Sequence, residues 1–193
     1  MPPKQSIKPF RPIYPSPAAL VTSVDAEGRA NVVTLGECFN ISIIRPVIVG
    51  IAIRTATYSH GLIRRSGEFV VNLPTADLYE VVDGVGTVSG RDCDKFERFD
   101  LTPVPAREVR PPLIEECPVC VECRVIDERE VGDHQLFLGE VVAEHVDEDA
   151  LDEDGRPDPE KLDMLVYACQ AYFAGGEKLG EHGFSNIRDE LEG

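Results

Sequence analysis

The segment Arg54-Thr55-Ala56-Thr57-Tyr58-Ser59-His60 gathers groups that bind anions. It follows an apolar, β-branched run at residues 47–53 (VIVGIAI), and the pattern predicts a short helix over residues 58–66. A helix start carries unpaired N–H groups and a partial positive charge, which together hold a phosphate. Arg54 adds a forked cation, and Thr55, Thr57 and Ser59 add hydroxyls. The same hydroxyls also serve plain N-capping, from Thr57 or Ser59. From Cys38 to Gly67 there is no Asp or Glu, while Arg45, Arg54, Arg64 and Arg65 are present. The formal net charge of the whole chain is −16, and residues 108–163 hold nineteen acids against five bases. An acid-free basic stretch in so acidic a chain reads either as an anion site or as a buried strand that excludes acids.

A second cluster is Cys117-Pro118-Val119-Cys120-Val121-Glu122-Cys123. C-x-x-C-x-x-C spacing can hold zinc or an iron–sulfur cluster, or supply a redox pair. No fourth ligand lies at a customary spacing, and Cys169 is the one distant candidate. On a predicted strand, the odd offset between Cys120 and Cys123 sends their side chains to opposite faces. Asp127-Glu128 stands where a ferredoxin run needs Cys-Pro. Buried free thiols are the expectation, with no metal ligand assigned. The acidic run at residues 147–158 lacks the alternation of a calcium loop and reads as solvated.

The elements that must position these groups are mostly strands. Six prolines among the first seventeen residues give an extended arm. Strands are expected at residues 18–24 and 30–37 around a turn at Asp25–Gly28, then at 47–53 and 68–73, with residues 38–46 as a loop. Residues 75–82 read as a helix capped by Thr75, and 84–100 as a Gly-rich loop with a small element around Lys95-Phe96-Glu97. Strands return over 113–130 and 136–146 about a Gly132-Asp133 hairpin turn. A last short element covers 165–173, before a polar tail with Gly-Phe-Ser at 183–185. Hairpin succession favours one mainly β domain spanning 1–193, an antiparallel barrel with short helices inserted. No G-x-G-x-x-G opens a helix after a strand, so no Rossmann site is offered. The strong negative charge argues against nucleic acid and anionic membrane as partners. No run of eighteen apolar residues is present, and the N-terminus lacks an apolar signal region, so a cytoplasmic location is expected.

These residues carry a resemblance. Asn31-Val32-Val33-Thr34, Arg45-Pro46, Arg54-x3-Tyr58-Ser59-His60 and Ser66-Gly67-Glu68-Phe69-Val70-Val71-Asn72-Leu73-Pro74 resemble the flavin reductase-like family. So do Ser89-Gly90-Arg91-Asp92-x-Asp94-Lys95-Phe96, Glu122-Cys123, Gly132-Asp133-His134, Phe137–Val141, Tyr167, Tyr172 and Leu179-Gly180. The proline-rich arm and the Leu-Val-Thr-Ser strand look most like its flavoredoxin branch. The resemblance implies a split β-barrel that binds FMN at a homodimer interface.

It also implies roles. Thr34, Leu35, Gly36, Glu37 and Cys38 would lie along the flavin edge, offering backbone N–H groups to N5 and O4. Arg54, Thr55, Thr57, Tyr58, Ser59 and His60 would hold the phosphate. The loop from Ser89 to Lys95 would cover the cofactor, with Arg91 or Lys95 as a further anion partner. His134 would stand near the reactive face as the catalytic residue, although a His after a hairpin turn is ordinarily a solvated turn residue. The implied function is reduction of flavin by NADH or NADPH, with hydride passing to N5. An FMN electron carrier exchanging electrons with a redox protein is the alternative, and a metal-binding module at the cysteine run is the second.

Overall fold

The computed structural model describes residues 2–180 and His182; the Gly-Phe-Ser at 183–185 lies outside the described residues. In chain order the strands are β1 (Ser16–Pro17), β2 (Ala19–Val24), β3 (Ala30–Leu35), β4 (Cys38–Ser42), β5 (Ile48–Arg54), β6 (Glu68–Leu73), β7 (Pro103–Val104), β8 (Leu113–Ile114), β9 (Val119–Val131), β10 (His134–Val146), β11 (Leu165–Ala168) and β12 (Ala171–Ala174). The helices are α1 (Tyr58–Ser66), α2 (Tyr79–Thr87) and α3 (Lys95–Arg98).

Seven strands form one sheet in the order β3-β2-β6-β9-β10-β5-β4, every pair antiparallel. Its two outermost strands, β3 and β4, are consecutive in the chain, separated only by Gly36 and Glu37. The sheet therefore has to curl until its edges meet. The Ala52 N–H, donating to the Glu37 carbonyl at 2.9 Å, carries the β4–β5 ladder up to this corner. This is the expected mainly β barrel.

Alternation along the strands builds two cores. Ala19, Val21, Phe69, Val71, Cys123, Ile51 and Phe137 point into the barrel. Leu20, Val70 and Cys120 point outward, against Val82 and Val85 of α2, Phe96 of α3 and Ile114. Strand β2 is buried along its whole length because both of its faces are covered.

The outer core is roofed by an irregular segment over residues 105–112 and the short strand β8, whose backbone N–H groups need acceptors once they leave water. Glu122, fully buried, accepts from the N–H groups of Arg107 (2.9 Å), Glu108 (2.6 Å) and Val109 (3.1 Å), and meets His145 Nε2 at 2.6 Å. Thr22 donates to the Pro112 carbonyl, and Asn72 accepts from Ile114 N–H. The strand residues thereby hold the roof.

The structure corrects several expectations. Residues 38–46 are not a loop: Cys38–Ser42 is strand β4, because β5 needs an antiparallel neighbour on its free side. The apolar run at 47–53 suggests a strand covered on both faces, but Ile48 and Val49 of β5 are half-buried and Val47 is exposed. The helix expected at 75–82 begins as a single 3₁₀ turn (Ala76–Leu78) and continues as α2 through Thr87. Thr75 does not cap it; its hydroxyl meets Asp77 instead. Gly84 suggests a loop but serves packing, since a side-chain carbon there would lie 2.5 Å from the Phe99 ring. The last element is a hairpin, β11–β12, to which β1 adds as a third strand. The hairpin turn at Gly132 is as expected, with a φ of 63°.

Burial raises the Glu122 carboxyl, but the three N–H groups and His145 outweigh it and hold the group below the ordinary carboxylate range. A lowered carboxylate contributes stability above its unfolded pKa and loses it as pH falls through the folded value. Glu122→Gln is expected to destabilise the protein by about 3 kcal/mol at pH 7. In urea unfolding, the gap between variant and parent should shrink steadily below about pH 4.

Candidate functional site

The turn from β5 into α1 is built by Thr57. Its N–H and hydroxyl both donate to the Arg54 carbonyl (3.0 and 2.9 Å), and its hydroxyl oxygen accepts from His60 N–H at 3.2 Å. Of the two candidate caps, Thr57 is the one used. No acid stands in the first turn of α1, and Arg64 and Arg65 stand in its last. Both features suit the helix dipole and leave its start attractive to an anion. Arg54 and Thr55 are exposed on the turn. The His60 ring packs against Phe137, centroids 5.8 Å apart, and burial followed by the nearby Arg64 pushes its pKa down. His60 is therefore a neutral ring at neutral pH and adds no cation.

Ser59 is buried inside the helix, with Asn31 of β3 bonded to its hydroxyl at 2.7 Å. Asn31 is 5% exposed, and its other amide atom has no partner among the described residues. Turning the amide over satisfies Ser59 equally well and leaves the NH₂ facing Gly90. Beside it lies a cavity of about 540 Å³ whose lining includes Arg29, Asn31, Tyr58, Gly90, Arg91 and Lys95. The Ser89–Lys95 loop closes over it at Gly90, where a side-chain carbon would lie 1.9 Å from Asn31 Oδ1. Only glycine allows that approach. The Arg91 guanidinium stacks 5.3 Å above the Tyr58 ring.

The acids around this cavity are largely committed. Asp25 binds Arg29 at 2.7 Å, and Asp94 caps α3 through the N–H groups of Phe96 and Glu97. Lys95 is buried and donates to the Val85 carbonyl at 2.8 Å. Burial pushes its ammonium down to about 8. A cation held out of water with one neutral acceptor gains from an anion nearby.

The barrel corner lies further along β3. Thr34 donates its hydroxyl to the Val82 carbonyl at 2.5 Å. Leu35 and Cys38 turn into the barrel core, where burial pushes the Cys38 thiol up to about 12, so that it stays protonated. Gly36 and Glu37 face two adjoining cavities. The smaller, about 240 Å³, includes Thr34, Arg11, Tyr167 and Tyr172 in its lining. The larger, about 810 Å³, lies between Cys38, Phe39 and Ala52 on one side and the arm and β11–β12 turn on the other. Arg11 pairs with Glu37 at 3.1 Å and covers the Tyr167 ring. Sequence reasoning gives Arg11 no role, since nothing local in the arm signals where its side chain lands.

His134 opens β10 directly opposite Arg54, and Leu136 stands opposite Ala52. Strand alternation puts Arg54 and His134 on the same face as Ala52, which lines the large cavity. The His134 ring is half-buried, and its Nδ1 meets the Asp133 carboxylate at 2.7 Å. That contact holds Asp133 below the usual carboxylate range.

The cysteine run divides as strand geometry requires. Cys117 and Cys120 enter the outer core and Cys123 the barrel core. Burial raises all three thiols, that of Cys120 to about 11. The three sulfurs do not converge on one point.

Residues 11–176 match the family model described as a flavin reductase like domain. Among solved structures, the chain is similar to flavoredoxin of Desulfovibrio vulgaris (Miyazaki F), at 31% identity and a TM-score of 0.88 over 95% of this chain and 99% of that one. It is also similar to an FMN-binding protein from Thermus thermophilus crystallised with 1-cyclohex-2-enone, at 26% identity and a TM-score of 0.79 over 94% and 99% of the two chains. A split-barrel flavin reductase structure from Shewanella frigidimarina, 21% identical, shares the fold with a TM-score of 0.80 over 88% of this chain and 86% of that one. With a family match over most of its length and a barrel closed at the β3–β4 corner, the chain belongs to the flavin reductase-like family of split barrels.

Proposed function

We propose that the chain binds FMN and acts as an oxidoreductase that passes electrons from NADH or NADPH through it. One observation carries this reading. A polar cavity at Asn31, lined by Arg29, Arg91 and Lys95 together with Asp25, Asp92 and Asp94, and a mainly apolar one at Gly36 stand by the two ends of β3, about 17 Å apart at strand spacing. A phosphate at one end and a flat apolar ring at the other is the shape of FMN. The buried unpaired amide of Asn31 and the close approach at Gly90 fit a phosphate cradle.

When bound, FMN supplies a ring that accepts a hydride equivalent and releases electrons onward. The residues have the remaining work. The Tyr58 and Ser59 backbone N–H groups at the start of α1, with Arg91 and Lys95, hold the phosphate. Arg54 and Thr55, exposed on the turn, do not line the Asn31 cavity. Backbone groups from Thr34 to Cys38 orient the ring edge, and Leu35 and Cys38 contribute only backbone there because their side chains face the core. His134, steadied by Asp133, borders the space where a nicotinamide would stack. The likeness to a flavoredoxin supports a second reading, an FMN electron carrier whose donor is a redox protein. Free thiols at all six cysteines suit a cytoplasmic location. No helix among the described residues is long and apolar enough to cross a membrane.

The working unit in this proposal is a homodimer. β4 is the last strand of the sheet, and Phe39, Ile41, Ile43, Ile44 and Val47 on and beyond it are between 38% and 78% exposed. Such an apolar edge is a template for a second copy. Light scattering should give twice the chain mass, and Ile43→Glu with Ile44→Glu should halve it; a monomeric parent contradicts the proposal.

Titration of the purified protein with FMN tests the cofactor assignment. Its visible absorption should change on binding, and anaerobic NADH or NADPH should then bleach it within a turnover. Bleaching only by a reduced redox protein selects the carrier reading. Because burial pushes the Lys95 ammonium down to about 8 and a bound phosphate favours its charged form, affinity should be near full at pH 7 and fall as pH rises through about 8. A loss of roughly fivefold between pH 7 and 9 is expected, and Lys95→Gln should abolish this dependence. An affinity that rises with pH contradicts the cradle.

A further inference from the structure

The proline-rich arm sends one side chain to the barrel corner. At Arg11 the backbone takes a left-handed turn, φ 40°, which an L-residue adopts only where its surroundings hold it there. Arg11 Nη2 lies 3.1 Å from Glu37 Oε1, and the guanidinium carbon lies 5.5 Å from the centre of the Tyr167 ring. Nη1 lies 3.6 Å from the point a side-chain carbon at Gly36 would occupy. Five residues later the arm is pinned to β11 by the Ser16 and Pro17 rungs. Arg11 thus lines both cavities that meet at the corner, held by an acid, an aromatic face and a strand pairing.

We propose that Arg11 is a cofactor-facing charge that tunes how readily bound FMN is reduced. The inference rests on the FMN reading above. Uptake of two electrons and one proton leaves the flavin ring with one more negative charge than before. A guanidinium beside the pyrimidine end therefore stabilises the reduced ring more than the oxidised one. Glu37 has the opposite sign at the same place. Its tether to Arg11 keeps the guanidinium over Gly36, and its own charge offsets part of the effect. In this scheme the arm is a working part of the site, bringing to the corner a cation that the barrel strands there lack.

The test is a reductive titration of the FMN-loaded protein with dithionite in the presence of reference dyes, read as midpoint potential, for the parent and three variants. Arg11→Gln should shift the potential negative, with affinity for reduced FMN falling roughly three- to tenfold more than affinity for oxidised FMN. Arg11→Lys keeps the charge and should restore most of the shift. Glu37→Gln should move the potential the other way. If Arg11→Gln releases FMN altogether, the direction of the Glu37→Gln shift decides. Potentials that match the parent in all three variants overturn the role of Arg11 while leaving FMN binding intact. A parent chain that takes up no FMN fails the reading beneath it instead, and the two failures cannot be confused.

Discussion

The geometry of this chain follows from one constraint, the Gly36-Glu37 corner. Two residues join the opposite edges of a seven-stranded sheet, so the sheet has to curl there, and β3 and β4 flank a seam that no ladder bridges. A seam differs from the rest of a barrel wall because its backbone groups are not committed to a continuous ladder. Cavities open beside it for that reason, and the arm and the β11–β12 hairpin stand over it. The ring end of the proposed cofactor site is a consequence of how the barrel closes.

Electrostatics divides the labour between the two ends of β3. The acidic chain concentrates its negative charge in β9, β10 and the loop after them, while the turn into α1 carries none. At the Asn31 end, Asp25 and Asp94 are consumed by Arg29 and by the α3 cap, while Arg91, stacked on Tyr58, and Lys95, bonded to the Val85 carbonyl, have no acid within ion-pair distance among the described residues and share the cavity lining with Asp92. Glu122 shows the contrasting use of a carboxylate. It is wholly buried, and its charge is spent on three backbone N–H groups and His145, so that it fastens the roof over the outer core and takes no part in the cavities.

Much of this was legible from the sequence where the signal is local. The β9–β10 hairpin announces itself through Gly132-Asp133 between two β-rich runs, and the start of α1 through Thr57 after a buried strand. The opposite faces of Cys120 and Cys123 follow from a spacing of three on a strand. What was not legible depends on distant partners. Strand β4 lacks strand-like composition at Asn40 and Ser42 and exists because β5 has a free edge. The inward turn of Lys95 is decided by a carbonyl on α2, and the Asn31–Ser59 bond by the packing of α1 on β3. Arg11 is the extreme case, for its partners Glu37 and Tyr167 stand 26 and 156 residues away, and a proline-rich arm carries no periodicity that would point to either.

The central claim is that the Asn31 end of β3 grips a phosphate and thereby sets the ring at the corner. The most direct measurement is a side-by-side fluorescence titration with FMN and with riboflavin, which differ only by that phosphate. FMN is expected to bind at least about a hundredfold more tightly, the worth of two or three charge-assisted hydrogen bonds in a partly buried cradle. Equal affinities for the two flavins would contradict it.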